Sequence, residues 1–264
     1  MKSDSALKFR ILDASIDSDG GGDLRLLVDG HAIKYIAIDS NIYSPEDLTF
    51  LPTLVELLPA LPSGDWNVST ISRDPNTGQP QFTQVQRAEL PGIKQVWHPT
   101  QIEFLELRLG KKLRSNVYET QCDHFGQTVI AKFARFAWET WMLEAETEAY
   151  QWIEGHAIGP NFLGHIAEFG RVIGFLISRI DPCRHANLQD LPLCSSILQK
   201  LHDLGIKHGD TNKHNFLISG KEVVLIDFDS AKRTQDTDEL SKEMSGLKEQ
   251  FSDESGRGGV TVHS

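Results

Sequence analysis

The segment HGDTNKHN, His208 to Asn215, followed by VVLIDFD, Val223 to Asp229, holds the residue types best able to do chemistry. Asp210 and Asn215 stand five residues apart, and Asp227 lies twelve beyond Asn215. One short loop can set a carboxylate beside a hydroxyl and an amide beside a magnesium ion. A hairpin can then bring back a second carboxylate to clamp the ion on phosphates. Each piece alone is weak, because Asp and Asn in loops are usually turn formers. His202, His208 and His214 recur at six-residue intervals, which a helix would spread over different faces, so the spacing argues against a histidine metal site. No Walker A motif, H-E-x-x-H helix or G-x-S-x-G elbow occurs.

The elements that must position these residues are legible from about residue 100 onward. Phe104 to Leu109, Val117 to Gln121 and Thr128 to Phe133 read as strands. Trp138, Trp141, Met142, Ala145, Ala149, Trp152 and Ile153 recur at mostly three- and four-residue intervals and predict an amphipathic helix with Gly155 past its end. Val172 to Ile180 reads as a buried strand, and Leu191 to Leu204 as a second amphipathic helix closed by Gly205. Thr234 to Ser264 is polar and ends in SGRGGVTVHS, a pattern of a loosely held tail.

Upstream, Leu7 to Leu12, Leu24 to Val28 and Ile33 to Ile38 read as strands of a small α/β unit, most simply a meander. Ser44-Pro45-Glu46-Asp47 supplies an N-cap, a first-turn proline and two first-turn acids ahead of the apolar run Leu48 to Leu61, where Pro52 must kink or split the helix. Pro62 to Pro99 is rich in Pro, Gly, Asn, Asp and Thr and reads as an irregular linker or docking arm, with a domain boundary near residue 95. The expected organisation is an N-terminal unit over 1–95, a main domain over 96–235 and a tail over 236–264.

Composition narrows the partners. The 264 residues, 39% hydrophobic and 24% charged, suit one large or two modest soluble domains. A net charge of -11 offers no basic field for nucleic acid or an anionic membrane. Cys122, Cys183 and Cys194 form no C-x-x-C pair, which suggests neither a disulfide framework nor a cysteine zinc site. No apolar run approaches a membrane span or a signal h-region, so the expected location is the cytosol or nucleus rather than outside the cell. The sequon Asn67-Val68-Ser69 is then a chance match.

The loop His208 to Asn215 and Asp227-Phe228 resemble the H-x-D-x-x-x-x-N catalytic loop and D-F-G metal motif of the protein-kinase-like fold. Gly110, Lys112, Ser115 and Val117 stand at the positions of the G-x-G-x-x-G-x-V loop. Val129-Ile130-Ala131-Lys132 resembles the V-A-I-K strand, its lysine fifteen residues after Val117. The wording SGDWNVSTISRD, LRSNVYET, AKFARFAWE, LEAETEAYQWIEGHAIGP and LHDLGIKHGDTNKHNFLI is similar to a group of fungal kinase-like proteins often labelled alpha-galactosidase precursors. No pair of carboxylates in a glycosidase motif supports that label. HGD in place of HRD is similar to lipopolysaccharide kinases, RIO kinases and aminoglycoside phosphotransferases.

The resemblance implies an α+β fold, compact and two-lobed, with an N-lobe over about 100–180, a reduced C-lobe over about 181–235 and the small N-terminal α/β unit appended. It implies ATP and Mg2+ as cofactors, and transfer of the γ-phosphoryl group to a hydroxyl of a small molecule or of a protein Ser or Thr. A pseudokinase or nucleotide-gated binding module is the alternative. Asp210 would orient the hydroxyl and take its proton, Asn215 and Asp227 would hold the metal, and Lys132 would neutralise the α- and β-phosphates. Gly110, Ser115 and Val117 would cover the nucleotide. Ser178 and Ile180 would offer backbone groups to adenine between Val117, Ile130, Ile177, Leu217 and Ile226. Lys132 needs a carboxylate to hold it. At 100° per residue Glu146 lies beside the apolar face of its helix, Glu148 flanks the other edge and Glu144 points away, which selects Glu146.

Several positions depart from the kinase pattern. Two of three loop glycines are replaced, Gly209 stands for the arginine that reads an activation-loop phosphate, Asn212 for the loop lysine and Asp229 for the last glycine of D-F-G. Only 37 residues follow Asp227, too few for an A-P-E segment and the later helices.

Overall fold

In a computed structural model, residues 8–253 are described. The chain divides between Leu90 and Pro91 into two compact units.

The first unit is a five-stranded sheet. Strands β1 (Phe9–Ile16), β2 (Gly22–Val28) and β3 (Ala32–Ile38) form an antiparallel meander, and helices α1 (Pro45–Thr49) and α2 (Leu51–Leu57) then cross over. Strand β4 (Val68–Arg73) pairs parallel with β3, and β5 (Pro80–Gln86) closes the order β1-β2-β3-β4-β5. The crossover is what a parallel pair requires. Residues 68–86, read from sequence as an irregular linker or docking arm, are therefore two strands. Their Ser, Thr and Gln alternate with Ile71 and Phe82, so one face is apolar although the segment as a whole is polar. The strand expected from Leu7 begins at Phe9, Leu7 lying outside the described residues. Pro52 splits the expected helix: Phe50 is extended between α1 and α2, and Pro52 sits in the first turn of α2, where its missing N–H costs nothing. Ser44 caps α1 by accepting from the Asp47 amide at 3.1 Å. Leu24, Leu26, Ile36, Leu48, Leu54 and Ile71 fill the core.

The second unit is mixed α and β. Strands β6 (Gln101–Glu103), β7 (Arg108–Arg114), β8 (Val117–Gln121), β9 (Val129–Phe133), β10 (Phe162–Glu168) and β11 (Arg171–Ser178) form a sheet ordered β6-β10-β11-β9-β8-β7, with helix α3 (Thr140–Ile153) between β9 and β10. The expected strand Phe104 to Leu109 is instead a 3₁₀ turn over Phe104–Glu106 that buries Phe104 and Leu107 three residues apart, and β7 starts after it. Helix α3 lies within the expected span, but only part of the expected face is buried. Ala149 and Ile153 are buried as expected, Trp138 and Trp141 are exposed, and Thr140, Leu143, Glu146, Thr147 and Tyr150 complete the buried stripe. Counting apolar residues missed part of this stripe because three of its inward positions, Thr140, Glu146 and Thr147, are polar.

The chain continues through β12 (Arg184–His185), α4 (Leu191–Asp203), β13 (Ile206–Lys207), β14 (Phe216–Ser219), β15 (Glu222–Leu225), β16 (Lys232–Arg233) and α5 (Thr237–Ser252). Gly205 closes α4 in the left-handed region at φ 68°, its amide on the His202 carbonyl. Residues 237–252, read from sequence as loose tail, are α5. Asp236 caps it through the amides of Asp238 and Glu239, and Leu247 and Phe251 are buried in the core with Phe216, Leu198 and Leu201. Its low apolar content hides an amphipathic helix whose buried stripe is only two large residues wide. The rest of the expected tail, 254–264, lies outside the described residues. Among the described residues no helix is long and apolar enough to cross a membrane.

Candidate active site

Side chains alternate along β9: Val129, Ala131 and Phe133 are buried, while Ile130 and Lys132 turn to the opposite face. Val117 pairs with Lys132 across β8 and β9, so these three share that face. Lys132 Nζ lies 2.5 Å from Glu146 Oε2 and 2.5 Å from Asp227 Oδ1. Glu146, chosen from the helix geometry, thus meets the lysine, while Glu148 is exposed. Burial alone would lower the Lys132 pKa, but the two carboxylates overcome it and hold the ammonium well above its ordinary value. Burial pushes Glu146 up to about 7 against the pull of Lys132. For Asp227 the balance reverses: burial raises it, yet Lys132 and Arg114 hold it below the ordinary carboxylate range.

Asp227 follows β15 with its backbone in the left-handed region at φ 68°, a conformation rare outside glycine and characteristic of functional positions. Phe228 anchors it from below, fully buried against Tyr150 and His208. The loop 208–215 is tied at both ends. His208 Nε2 meets the Ile226 carbonyl at 3.2 Å, and the Ile226 amide bonds the Asn215 carbonyl at 3.0 Å. Asp210 Oδ2 accepts from Asn212 Nδ2 at 2.9 Å and from Asn215 Nδ2 at 3.1 Å, and Asn215 Nδ2 also donates to the Asp210 carbonyl. That fixes the Asn215 amide with Oδ1 buried and unpartnered. A buried carbonyl oxygen left without a donor suits a cation such as magnesium, which accepts a sparse protein ligand set when phosphates and water complete its shell. Among the described residues no cluster of three His, Cys, Asp or Glu could hold a metal on protein ligands alone.

Two residues that bear on this site escaped the sequence reading. Arg114, at the end of β7 ahead of the two-residue turn Ser115-Asn116, places Nη1 2.9 Å from Asp227 Oδ2. Glu243 of α5 accepts from the Gly209 amide at 2.7 Å through Oε1, and through Oε2 from the His208 amide at 3.0 Å and His202 Nε2 at 2.7 Å. Burial raises Glu243, but these donors outweigh it and lower its pKa. Only the α5 helical period could have singled out Glu243, and no sequence signal marks Arg114. Gly209 now has a reason of its own. Its φ is 87°, and a Cβ there would sit 2.4 Å from the Ser230 carbonyl oxygen, so no larger residue fits.

The residues expected on the nucleotide side are less closely gathered. Gly110 is exposed on β7 opposite Glu119, and Ser115 is exposed in the hairpin turn. Ile180 and Leu217 line a cleft of about 230 Å³, and Ser178 and Ile180 border a neighbouring one of about 450 Å³. The Ser178 amide is spent on the Asn161 carbonyl and its hydroxyl accepts from the Asn161 amide, so a base could reach no more of its backbone than the carbonyl.

Residues 183–258 match the family model described as lipopolysaccharide kinase (Kdo/WaaP). The match supports a kinase-like superfamily and suggests a kinase-like phosphotransferase. It takes in Asp210, Asn215, Asp227 and Glu243, while Arg114, Lys132 and Glu146 lie before it. No curated protein matches the chain, and neither a fungal source nor the alpha-galactosidase label finds support.

Proposed function

We propose that the protein transfers the γ-phosphoryl group of ATP to a hydroxyl. The observation that carries this reading is Lys132 held between Glu146 and Asp227, with Asp210 and the unpartnered Asn215 oxygen on the adjoining loop. Lys132 would pair with the α- and β-phosphates, oriented by Glu146. Asn215 Oδ1 and Asp227 would hold magnesium, which supplies charge neutralisation on the β- and γ-phosphates. The acceptor oxygen bonds to the γ-phosphorus as the bond to the β,γ-bridging oxygen breaks. The electron pair leaves on ADP, and the hydroxyl proton passes to Asp210. Catalysis here is positioning and electrostatics, and the bonds Asp210 receives from Asn212 and Asn215 fix its carboxylate for that role. The acceptor is a small molecule or a protein Ser or Thr.

A second reading, nucleotide binding without turnover, draws support from Arg114 lying on the carboxylate that magnesium would need. Mg-ATP at a hundred times its Kd stabilises a native state that alone binds it by about 2.7 kcal/mol, readily seen as a rise in melting temperature. No shift with any nucleotide, with or without magnesium, would rule out both readings.

A further inference from the structure

We propose that the cleft between the loop of Asp210 and helix α5 is the acceptor site, that it takes a small hydroxylated molecule rather than a protein side chain, and that Gly246 of α5 keeps it open. This rests on the phosphotransferase reading of Asp210.

The cleft has a volume of about 450 Å³, which suits a small molecule. Gly209 and Asp210 form one wall, with Lys207 of β13 beside them. The other wall is a single face of α5. Glu239, Lys242, Glu243, Gly246 and Gln250 recur there at three- and four-residue intervals, while Leu247 and Phe251 turn away into the core.

No side chain lining the cleft is aliphatic or aromatic. A docked protein segment draws its affinity from apolar and aromatic anchors, which find no pocket here, whereas a small polar molecule is held by convergent polar groups. The charges in the cleft divide in the same way. Both oxygens of Glu243 are engaged by the His208 and Gly209 amides and by His202, and Glu239 lies 2.9 Å from Lys232 and 3.8 Å from Lys207. Asp210 Oδ2 accepts from Asn212 and Asn215, while Oδ1 has no partner among the described residues and is left for a hydroxyl. Lys242 likewise pairs with no group among the described residues, and its ammonium can donate to the molecule's other oxygens.

Gly246 stands in the middle of the α5 face, inside the helix, where a glycine weakens the helix relative to alanine. Packing does not ask for one: a Cβ there would meet no neighbouring atom within 4 Å. The open space lies one helical turn from Glu243, whose Oε1 holds the Gly209 amide at 2.7 Å. What the missing side chain leaves free is therefore the cleft itself. A hydroxyl entering it reaches Asp210; its oxygen bonds to the γ-phosphorus as ADP leaves, and its proton passes to Asp210.

The test compares the full-length wild type with G246A and G246L. Each is incubated with γ-labelled ATP and either the small-molecule or the protein fraction of a cell extract, Mg-ATP affinity is read by calorimetry, and Tm is read without ligand. The wild type is expected to label the small-molecule fraction. G246A is expected to raise Tm by about 2–4 °C, the gain of a better helix former, and G246L to melt no lower than the wild type. Labelling is expected to fall about tenfold in G246L and by a smaller factor in G246A, with Mg-ATP affinity unchanged, since the added side chain takes space from the acceptor alone. A glycine of purely structural importance would not give a more stable protein that transfers more slowly. Label confined to protein bands, wild-type labelling by G246L, a lower Tm in both variants, or a loss of Mg-ATP affinity matching the loss of labelling each overturns the proposal and leaves the phosphotransferase reading standing. A wild type that transfers phosphate to neither fraction ends both.

Discussion

Lys132 Nζ and Glu146 Oε2 lie 2.5 Å apart although one residue is on β9 and the other on α3, and Asp227 closes the buried group from the far side. Two carboxylates share one lysine, whose charge holds Asp227 ionised and opposes the burial that raises Glu146. Lys132→Met would leave Glu146 buried beside Asp227, a change that costs about 3–5 kcal/mol when one partner of a buried pair is removed. The sign with pH follows from the raised Glu146. Its folded pKa of about 7 exceeds its unfolded value, so the folded state holds the extra proton and stability falls as pH rises through that range. Losing Lys132 steepens this. In urea denaturation, the deficit of Lys132→Met against the wild type is expected to be larger at pH 8 than at pH 5, and an equal deficit at both would count against the pairing.

Glu243 holds the loop of Asp210 from behind. Replacing it with Ala leaves the His208 and Gly209 amides and His202 Nε2 without their acceptor. Three lost bonds of this kind are expected to cost about 3 kcal/mol in sum, or about 6–12 °C in Tm for a unit of this size. ATP binding through Lys132 is expected to outlast the loss of kcat. A variant with unaltered Tm and kcat would show that α5 does not support the loop.

Gly209→Arg restores the residue that kinases with phosphorylated activation segments carry, and it is expected to destroy rather than enhance activity. The φ of 87° costs a side chain about 1–2 kcal/mol, and the 2.4 Å approach to the Ser230 carbonyl forces the loop to shift besides. Expression of a stable, active Gly209→Arg protein would contradict the loop geometry.

His165 is fully buried on β10, its Nε2 accepting from the His98 amide at 3.2 Å. Burial, with His98 alongside, lowers its pKa to about 4. Between about 6.5 and 4 the unfolded state binds a proton that the folded state refuses, so stability falls as pH drops across this window, by on the order of 3 kcal/mol. Burial lowers His208 in the same direction. His165→Leu is expected to flatten the acid limb of a melting-temperature profile, and an unchanged slope would assign that limb to other groups.

What could be read from sequence follows from which interactions are local. The interval from Asp210 to Asn215 is set by one loop, and the alternation that puts Lys132 on the face of Ile130 is set by one strand; both are short-range and legible. Glu146 was reachable because helical phase is also local. Arg114 and Glu243 were not, since each meets its partner only through tertiary contact, across 113 and more than 30 residues of chain. Similarly β4 and β5 are too polar to announce strands until β3 gives them an edge to pair with, and Trp141 could pass for core because its type says nothing of which way the helix is turned.

The most direct measurement is transfer of labelled phosphate from γ-labelled ATP by the wild type and by Asp210→Asn, incubated with a lysate and its metabolite extract, alongside the Mg-ATP affinity of each. The wild type is expected to label an acceptor. Asp210→Asn is expected to bind Mg-ATP as the wild type does and to transfer about 10²–10⁴-fold more slowly, the usual loss for a positioned base. Transfer by Asp210→Asn at the wild-type rate would contradict the assignment of Asp210 and the phosphoryl-transfer site built around it.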